Sequence, residues 1–169
     1  MLVVLFGIIG GIRGWAKELL VTFSVILALT FITLLHNYVG FFQAIEDSTP
    51  KAYFWMTFII LGLLVFFGYQ TPNITRFAPK LVRERIQDTL LGVFIGLLNG
   101  YLILGSIWFF IYKAHYPFPN ITDPETSGIP QVVSAAQKLL PYLPPRLLGV
   151  PGIYFAVVIS FIFVIVVFI

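Results

Sequence analysis

The chain has 169 residues, of which 59% are hydrophobic, 17% aromatic and 10% charged. A soluble domain carries about 25% charged residues, so this sequence has too few charged side chains to cover the water-exposed surface of a domain of its size. Lipid must therefore solvate most of the chain, which excludes a soluble enzyme and a disordered tail. The sequence contains no cysteine, which excludes disulfides, iron–sulfur clusters and thiolate zinc sites.

The formal net charge of +3 does not indicate nucleic-acid binding. Basic residues occur singly or in pairs beside apolar segments, as the orientation of membrane helices requires. We therefore expect these basic residues to lie beside the lipid bilayer, and we expect the protein not to bind nucleic acid.

Five apolar stretches follow one another along the chain. They predict an all-α, polytopic integral membrane protein with four to five transmembrane helices. A helix needs about 20 apolar residues to cross a bilayer, a length that the fourth stretch reaches alone and the second and third reach with their neighbours. The stretches cover residues 1–12, 19–35, 53–68, 90–112 and 152–169.

The first and last stretches are short for membrane spans. Residues 1–12 would cover about 18 Å as a helix, less than the hydrocarbon core. They are either a helix whose start is missing from this sequence or a half-spanning segment, and we favour the missing start. The last stretch stops on Ile169 without a polar flank, so we expect the natural chain to continue.

The connecting segments differ in basic charge, which predicts an orientation. Segments 13–18 and 69–89 together carry six Lys and Arg residues, whereas segments 36–52 and 113–151 carry four. The positive-inside rule then places the first two segments in the cytoplasm and the N-terminus outside.

Two connecting segments contain amphipathic patterns that indicate helices at the membrane surface. The pattern PKLVRERIQD at 79–88 has an apolar face that includes Leu81 and Ile86, which favours a cytoplasmic interfacial helix. The pattern QVVSAAQKLL at 131–140 favours a second such helix within a Pro-rich extracytoplasmic loop, 113–151.

Glycines recur at helical spacing in the first and fourth stretches. A spacing of four places glycines on one helical face, where another helix approaches closely and van der Waals packing supplies the attraction. We predict that the two faces pack against each other or against a partner subunit; the alternative is that glycine is simply common in membrane helices. The faces contain Gly7, Gly10, Gly11 and Gly14, and Gly92, Gly96 and Gly100.

Charged residues beside these glycines are candidates for a polar network. Asp88 occupies an N-cap position before the fourth stretch, where its carboxylate would accept bonds from free backbone amides. Arg13 and Glu18 flank the first turn on the same predicted membrane face as Asp88. We predict an ion pair or a network among these three residues, with Arg85 as a further candidate, which would tie two helical hairpins together. The alternative is that all four are solvated charges at the interface.

Asn99 is a strongly polar side chain well inside the fourth stretch. Buried amides there usually hydrogen-bond across helices, for about 0.6–2 kcal/mol. A substrate or ion pathway is the alternative, but it usually needs more than one polar group at that depth.

His36 and His115 lie at the ends of apolar stretches. An imidazole at either position would suit a tetrapyrrole metal, although a lone interfacial histidine is more often solvated. We expect no cofactor and no metal.

The sequence gives little support to catalysis. It contains no HExxH motif, nucleophile elbow or phosphate-binding glycine loop. The serines within the stretches, Ser24, Ser106 and Ser160, have no base at the same depth, which argues against intramembrane proteolysis. We predict that the protein is not an enzyme.

Two motifs of this chain resemble the colicin V production (CvpA) family of bacterial membrane proteins. The segment GIIGGIRGWAKELLVTFSVILAL is similar to the opening helix and Arg-Gly-aromatic turn of that family. The start of the fourth stretch is similar to a family pattern of an Asp followed by glycines at a spacing of four. The matching residues are Arg13, Gly14, Trp15 and Glu18, and Asp88, Gly92, Gly96 and Gly100.

The resemblance covers about residues 1–112, a CvpA-like four-helix membrane region, and leaves 113–151 and an additional helix at 152–169 outside it. Thr89 and Asn99 stand where the family usually has arginines, so a role that needs those arginines does not transfer. The resemblance implies a multi-pass protein of the bacterial inner membrane that is associated with toxin production and envelope function. It brings no catalytic residues.

Together these features predict a noncatalytic membrane protein, which acts as a helix-packing, assembly or accessory subunit of a larger membrane complex or export system. Its partners would be the lipid bilayer and either other membrane subunits or further copies of itself. The alternative is a small transporter or channel-like protein, lined around Asn99 and the glycine face.

Overall fold

The computed structural model describes residues 1–70 and 85–168, which form helices and connections without strands. The connection at 114–151 contains two turns of 3-10 helix and two short α-helices. The helices are α1 (Leu2–Arg13), α2 (Trp15–Tyr38), α3 (Gly40–Ser48), α4 (Pro50–Tyr69), α5 (Arg85–Lys113), α6 (Pro130–Leu139), α7 (Pro144–Leu147) and α8 (Gly152–Phe168).

Five of these helices correspond, in order, to the five apolar stretches. Helices α2, α4 and α5 have 24, 20 and 29 residues and are long and apolar enough to cross a membrane. Helices α1 and α8 are apolar but shorter, with 12 and 17 residues. The predicted all-α membrane fold is confirmed.

Helix α2 forms the centre of the bundle and contacts α4, α5 and α8. Its buried positions recur every three or four residues, so one broad face of the helix is removed from the surroundings. The side chains of Val21, Val25 and Ala28 are fully buried. The outward faces of the surrounding helices carry large exposed apolar side chains, as expected where lipid is the solvent.

Helix α8 runs antiparallel to α2. Near the end of α2, Asn37 Nδ2 lies 3.5 Å from the Tyr154 hydroxyl at the start of α8. Closer to the start of α2, the Phe23 ring centroid lies 6.1 Å from that of Phe161. The last apolar stretch is therefore packed on the central helix along most of its length.

Helix α3 was not predicted, because the sequence assigned residues 36–52 to a connection. It has nine residues, and its Phe42 side chain is buried. The Phe42 ring packs edge-to-face on Tyr53, with centroids 5.4 Å apart. Such a short helix is stabilised mainly by this tertiary contact, which a pattern along one segment does not reveal.

Two predicted surface helices have different outcomes. A helix occupies Pro130–Leu139, close to the predicted 131–140; its position at the membrane surface stays a prediction. The helix predicted at 79–88 lies mostly outside the described residues, and α5 already includes Arg85.

Candidate functional site

Helices α1 and α5 approach each other closely where the two glycine faces meet. A Cβ atom added to Gly10 would collide with the carbonyl oxygen of Gly92 and lie 2.9 Å from Cα of Gly96. A Cβ atom on Gly96 would collide with the carbonyl oxygen of Phe6. Because backbone atoms stand in the way, only glycine at these positions allows the two helices to approach this closely.

Glycines at the edge of the contact have softer neighbours. A Cβ atom on Gly7 would lie 2.8 Å from Leu97 Cδ2, and one on Gly11 would lie 2.7 Å from Val93 Cγ2. These atoms belong to flexible side chains that can shift. The glycine faces are thus occupied within one chain, with the backbone contact at Gly10, Gly92 and Gly96 as the centre.

The contact continues into the turn between α1 and α2. Gly14 has a φ of +85°, which favours glycine, and a Cβ atom there would lie 2.9 Å from Asp88 Oδ2. The backbone N–H of Trp15, the first residue of α2, donates a hydrogen bond to Asp88 Oδ1 at 3.2 Å.

The prediction that Asp88 caps its own helix is therefore wrong. Helix α5 already includes Arg85, so Asp88 lies inside its first turn rather than before it. The turn at Gly14 brings the free amide at the start of α2 to the Asp88 carboxylate, which satisfies a helix end from a different helix.

Glu18, in the first turn of α2, is fully buried where α2 meets α5, with 0% of its surface exposed. Its Oε2 accepts a hydrogen bond from Asn99 Nδ2 at 2.9 Å, and its Oε1 lies 3.4 Å from Arg13 Nε. Burial of a carboxylate is costly unless the group is paired and hydrogen-bonded. The alternative in which Glu18 is a solvated interface charge is therefore wrong.

The Asn99 amide links α5 to α2 at both of its ends. Its Nδ2 also donates to the main-chain carbonyl oxygen of Glu18 at 2.9 Å, and its Oδ1 accepts from Thr22 Oγ1 at 2.7 Å. Thr22 was missed by the sequence analysis, although it follows Glu18 by four residues and so lies on the same face of a helix.

Arg13 joins the end of α4 to the same group of side chains. Its Nη2 donates a hydrogen bond to the carbonyl oxygen of Tyr69 at 3.2 Å, and its guanidinium carbon lies 4.4 Å from the centroid of the Tyr69 ring. The buried Tyr69 hydroxyl makes no hydrogen bond within residues 1–70 and 85–168. The Arg85 side chain lies outside the described residues.

These side chains form what we call the polar cluster, which consists of Arg13, Glu18, Thr22, Tyr69 and Asn99. The cluster contains one carboxylate and one guanidinium, and it connects α1, α2, α4 and α5. Asp88 lies beside it at the Gly14 turn. Its chemistry is that of a positioning network, since Glu18, Thr22 and Asn99 bind one another and Arg13 joins Glu18 to the end of α4.

A second group of charges lies at the opposite end of the bundle. Glu46 Oε1 lies 2.6 Å from Lys113 Nζ, and Glu46 Oε2 lies 2.9 Å from His36 Nδ1. The Glu46 side chain is 18% exposed. We call this group the Glu46 contact; it ties the ends of α2 and α5 to α3 and engages the imidazole of His36.

His115 lies just beyond the end of α5. Both His115 and Tyr116 have left-handed backbone conformations, with φ of 54° and 51°, and both line a polar cleft of about 330 Å³. Trp108 Nε1 donates a hydrogen bond to the Tyr116 hydroxyl at 3.2 Å. Burial raises the pKa of Tyr116, against the opposing effect of this hydrogen bond.

The residues that the structure describes define a class: an all-α membrane protein in which α2, α4 and α5 are apolar helices of spanning length, with a glycine interface beside buried polar groups. Within the described ranges, no group of three or more His, Asp or Glu side chains is arranged to hold a metal ion.

The family model described as Colicin V production protein matches residues 1–127, and the chain therefore belongs to the colicin V production family. The match includes both glycine faces and the whole polar cluster, and it extends past the end of α5. Comparisons with curated proteins and with solved structures found no match.

Proposed function

We propose that this protein is a noncatalytic, multi-pass protein of the bacterial inner membrane that acts as an assembly or accessory subunit of a larger membrane complex or export system. The observation that supports this most is the pairing of Glu18 and Asn99 with each other and with Arg13 and Thr22 in the polar cluster. Its charged and amide groups bind one another and join four helices, which suits a rigid scaffold.

The pairing of Asn99 favours a scaffold over a transport path. Both ends of its amide are engaged by Glu18 and Thr22, at distances of 2.7–2.9 Å. An ion or substrate that passed through this point would have to break these hydrogen bonds in a buried environment, where an unpaired polar group is costly.

The cleft between α2 and α8 also has the character of a packing defect between helices rather than of a polar channel. It has a volume of about 290 Å³ and mostly apolar walls. The hydroxyls of Thr22 and Ser160, which belong to its walls, donate to Asn99 Oδ1 at 2.7 Å and to the helix carbonyl oxygen of Val157 at 3.0 Å.

Purification in a mild detergent tests the proposal. We expect the protein to elute in a stoichiometric complex with other membrane proteins, identified by mass spectrometry. Gly96→Leu should weaken that complex, because the scaffold loses its α1–α5 contact. Gly62→Leu is the matched control, since a Cβ atom on Gly62 in α4 has no neighbour within 4 Å.

Two results would contradict the proposal. One is a species that contains this chain alone and conducts ions when reconstituted in liposomes, which would support the transporter alternative. The other is a Gly96→Leu variant that folds with altered packing yet assembles as fully as the wild type.

A further inference from the structure

Residues 130–150, which we call the return segment, fold back along α5 instead of forming a loop beyond its end. The Tyr101 hydroxyl donates a hydrogen bond to the carbonyl oxygen of Tyr142. A Cβ atom on Gly105 would lie 2.6 Å from Pro144 Cδ, so the absence of a side chain lets Pro144 rest on the helix.

These contacts lie well inside α5. Tyr101 precedes Lys113, the last residue of the helix, by 12 residues, which corresponds to about 18 Å along the helix axis. This part of α5 belongs to a helix that is apolar enough to cross a membrane. The return segment is therefore held at the level where lipid, rather than bulk water, surrounds the bundle.

Helix α6, the first part of the return segment, has three distinct faces. Val132 and Leu139 lie on one face at helical spacing and are 41% and 51% exposed. Ala136 and Leu140 lie beside them and are buried against the protein. The remaining face is polar and exposed, and it consists of Gln131, Ser134, Gln137 and Lys138.

The rest of the return segment continues this unpaired apolar surface. Tyr142, Leu147 and Val150 are 65%, 59% and 56% exposed. In water such a surface would be unfavourable, whereas beside membrane helices it matches the acyl chains at the edge of the bilayer.

The charges of the return segment are all positive. Lys138 and Arg146 are both exposed, and the chain contains no Asp or Glu between residues 126 and 169. The two cations thus have no acidic neighbour along the chain, and basic side chains beside lipid extend to the phosphates of the head groups.

We infer that the return segment dips from the head-group layer into the lipid beside α5 and binds anionic phospholipid. Val132 and Leu139 face the acyl chains, while Lys138 and Arg146 extend to the phosphates, as basic side chains do beside an apolar helix face. This inference does not depend on the proposed function, since a scaffold and a transporter would both sit in the bilayer.

The depth of α6 is measured first, on the full chain in vesicles of phosphatidylglycerol and phosphatidylcholine. The chain has no cysteine, so Val132→Cys, Leu139→Cys and Ser134→Cys each give a single site for a nitroxide spin label. Labels at 132 and 139 should be accessible to oxygen and shielded from a water-soluble nickel complex, and the label at 134 should show the reverse. Equal accessibility to nickel at all three sites would overturn the inference, as would labels at 132 and 139 that are shielded from both reagents.

Lipid selectivity is measured next, as the preference of the protein for phosphatidylglycerol over phosphatidylcholine. The double variant Lys138→Gln, Arg146→Gln should lower this preference, by up to about fivefold for each removed charge. The charge-preserving variant Lys138→Arg, Arg146→Lys should retain it. Lys51→Gln removes an exposed cation from the start of α4 and should change it less than the double variant. An unchanged preference in the neutral double variant, or an equal loss in Lys51→Gln, would overturn the assignment of phosphate binding.

Discussion

The two ends of the bundle each hold one carboxylate against a cation, but they do so in different surroundings. At one end Glu18 is fully buried and is bound by both Arg13 and Asn99. At the other end Glu46 contacts His36 and Lys113 while 18% of its side chain stays exposed. The pairs look alike in distance, yet water can replace a lost partner only at the exposed end. Burial, rather than the number of contacts, therefore determines how much each pair matters.

Removing each carboxylate in turn tests most directly whether burial determines its contribution to stability. Glu18→Ala leaves Asn99 and Arg13 without their shared partner, and we expect it to lower the free energy of unfolding by about 3–5 kcal/mol. Thermal or denaturant unfolding of the protein in detergent measures the loss. Glu46→Ala is the matched control at the opposite end. If Glu46→Ala costs as much as Glu18→Ala, burial is not the property that separates the two ends.

The second prediction concerns the backbone contact beside the buried end. Gly96→Ala places a methyl group against the carbonyl oxygen of Phe6, so α1 must move away from α5. We expect a loss of about 1–3 kcal/mol, as for overpacking in a dense interior. Gly62→Ala should be neutral or slightly stabilising, because its Cβ atom meets no neighbour within 4 Å. Equal stability of the two alanine variants would show that the close approach does not stabilise the bundle.

The third prediction separates the amide from the carboxylate within the polar cluster. Asn99→Leu removes the hydrogen bonds to Glu18 and Thr22 but retains a side chain of similar size. We expect a loss of about 1–2 kcal/mol, smaller than that of Glu18→Ala, because Arg13 still pairs with the carboxylate. A double-mutant cycle of Asn99→Leu with Thr22→Val measures the coupling between the two side chains. Strict additivity would mean that the hydrogen bond at 2.7 Å contributes nothing to stability.

The smallest effect is expected at the Glu46 contact. Lys113→Gln removes the lysine beside Glu46 and should cost about 0–1 kcal/mol, since the exposed part of the pair is screened by solvent. Added salt should weaken the wild-type contact and leave the variant unchanged. A loss that is larger than that of Asn99→Leu would indicate that the Glu46 contact is sealed from water in the membrane.

The elements of the fold could be predicted well from apolar composition. The third stretch, predicted at 53–68, occupies Pro50–Tyr69, and the second extends from 19–35 to Trp15–Tyr38. The differences are at the ends, because helices continue through polar residues that a count of apolar residues excludes. Helix α3 was missed for a related reason, since its stability depends on Phe42 packing against Tyr53 rather than on its own pattern.

The residues of the candidate site could be predicted more readily than their connections. Spacing identified the glycines, Arg13, Glu18 and Asn99, because each is unusual for its position in an apolar chain. It did not identify Tyr69, whose role depends on where α4 ends relative to Arg13. The spacing also assigned Asp88 to the cap of α5, whereas its carboxylate accepts from the start of α2. Periodicity shows which residues share a face but not which helices meet.

The hydrogen bond from Trp15 to Asp88 has a consequence for the order of events during synthesis. The two residues are 73 positions apart, and Glu18 and Asn99 are 81 apart. At a synthesis rate of about 5–20 residues per second, the first two helices leave the ribosome seconds to more than ten seconds before α5 follows. During that interval the start of α2 carries an uncapped amide and a carboxylate without its amide partner. The first helical pair therefore lacks two of its polar partners until the second half of the chain arrives.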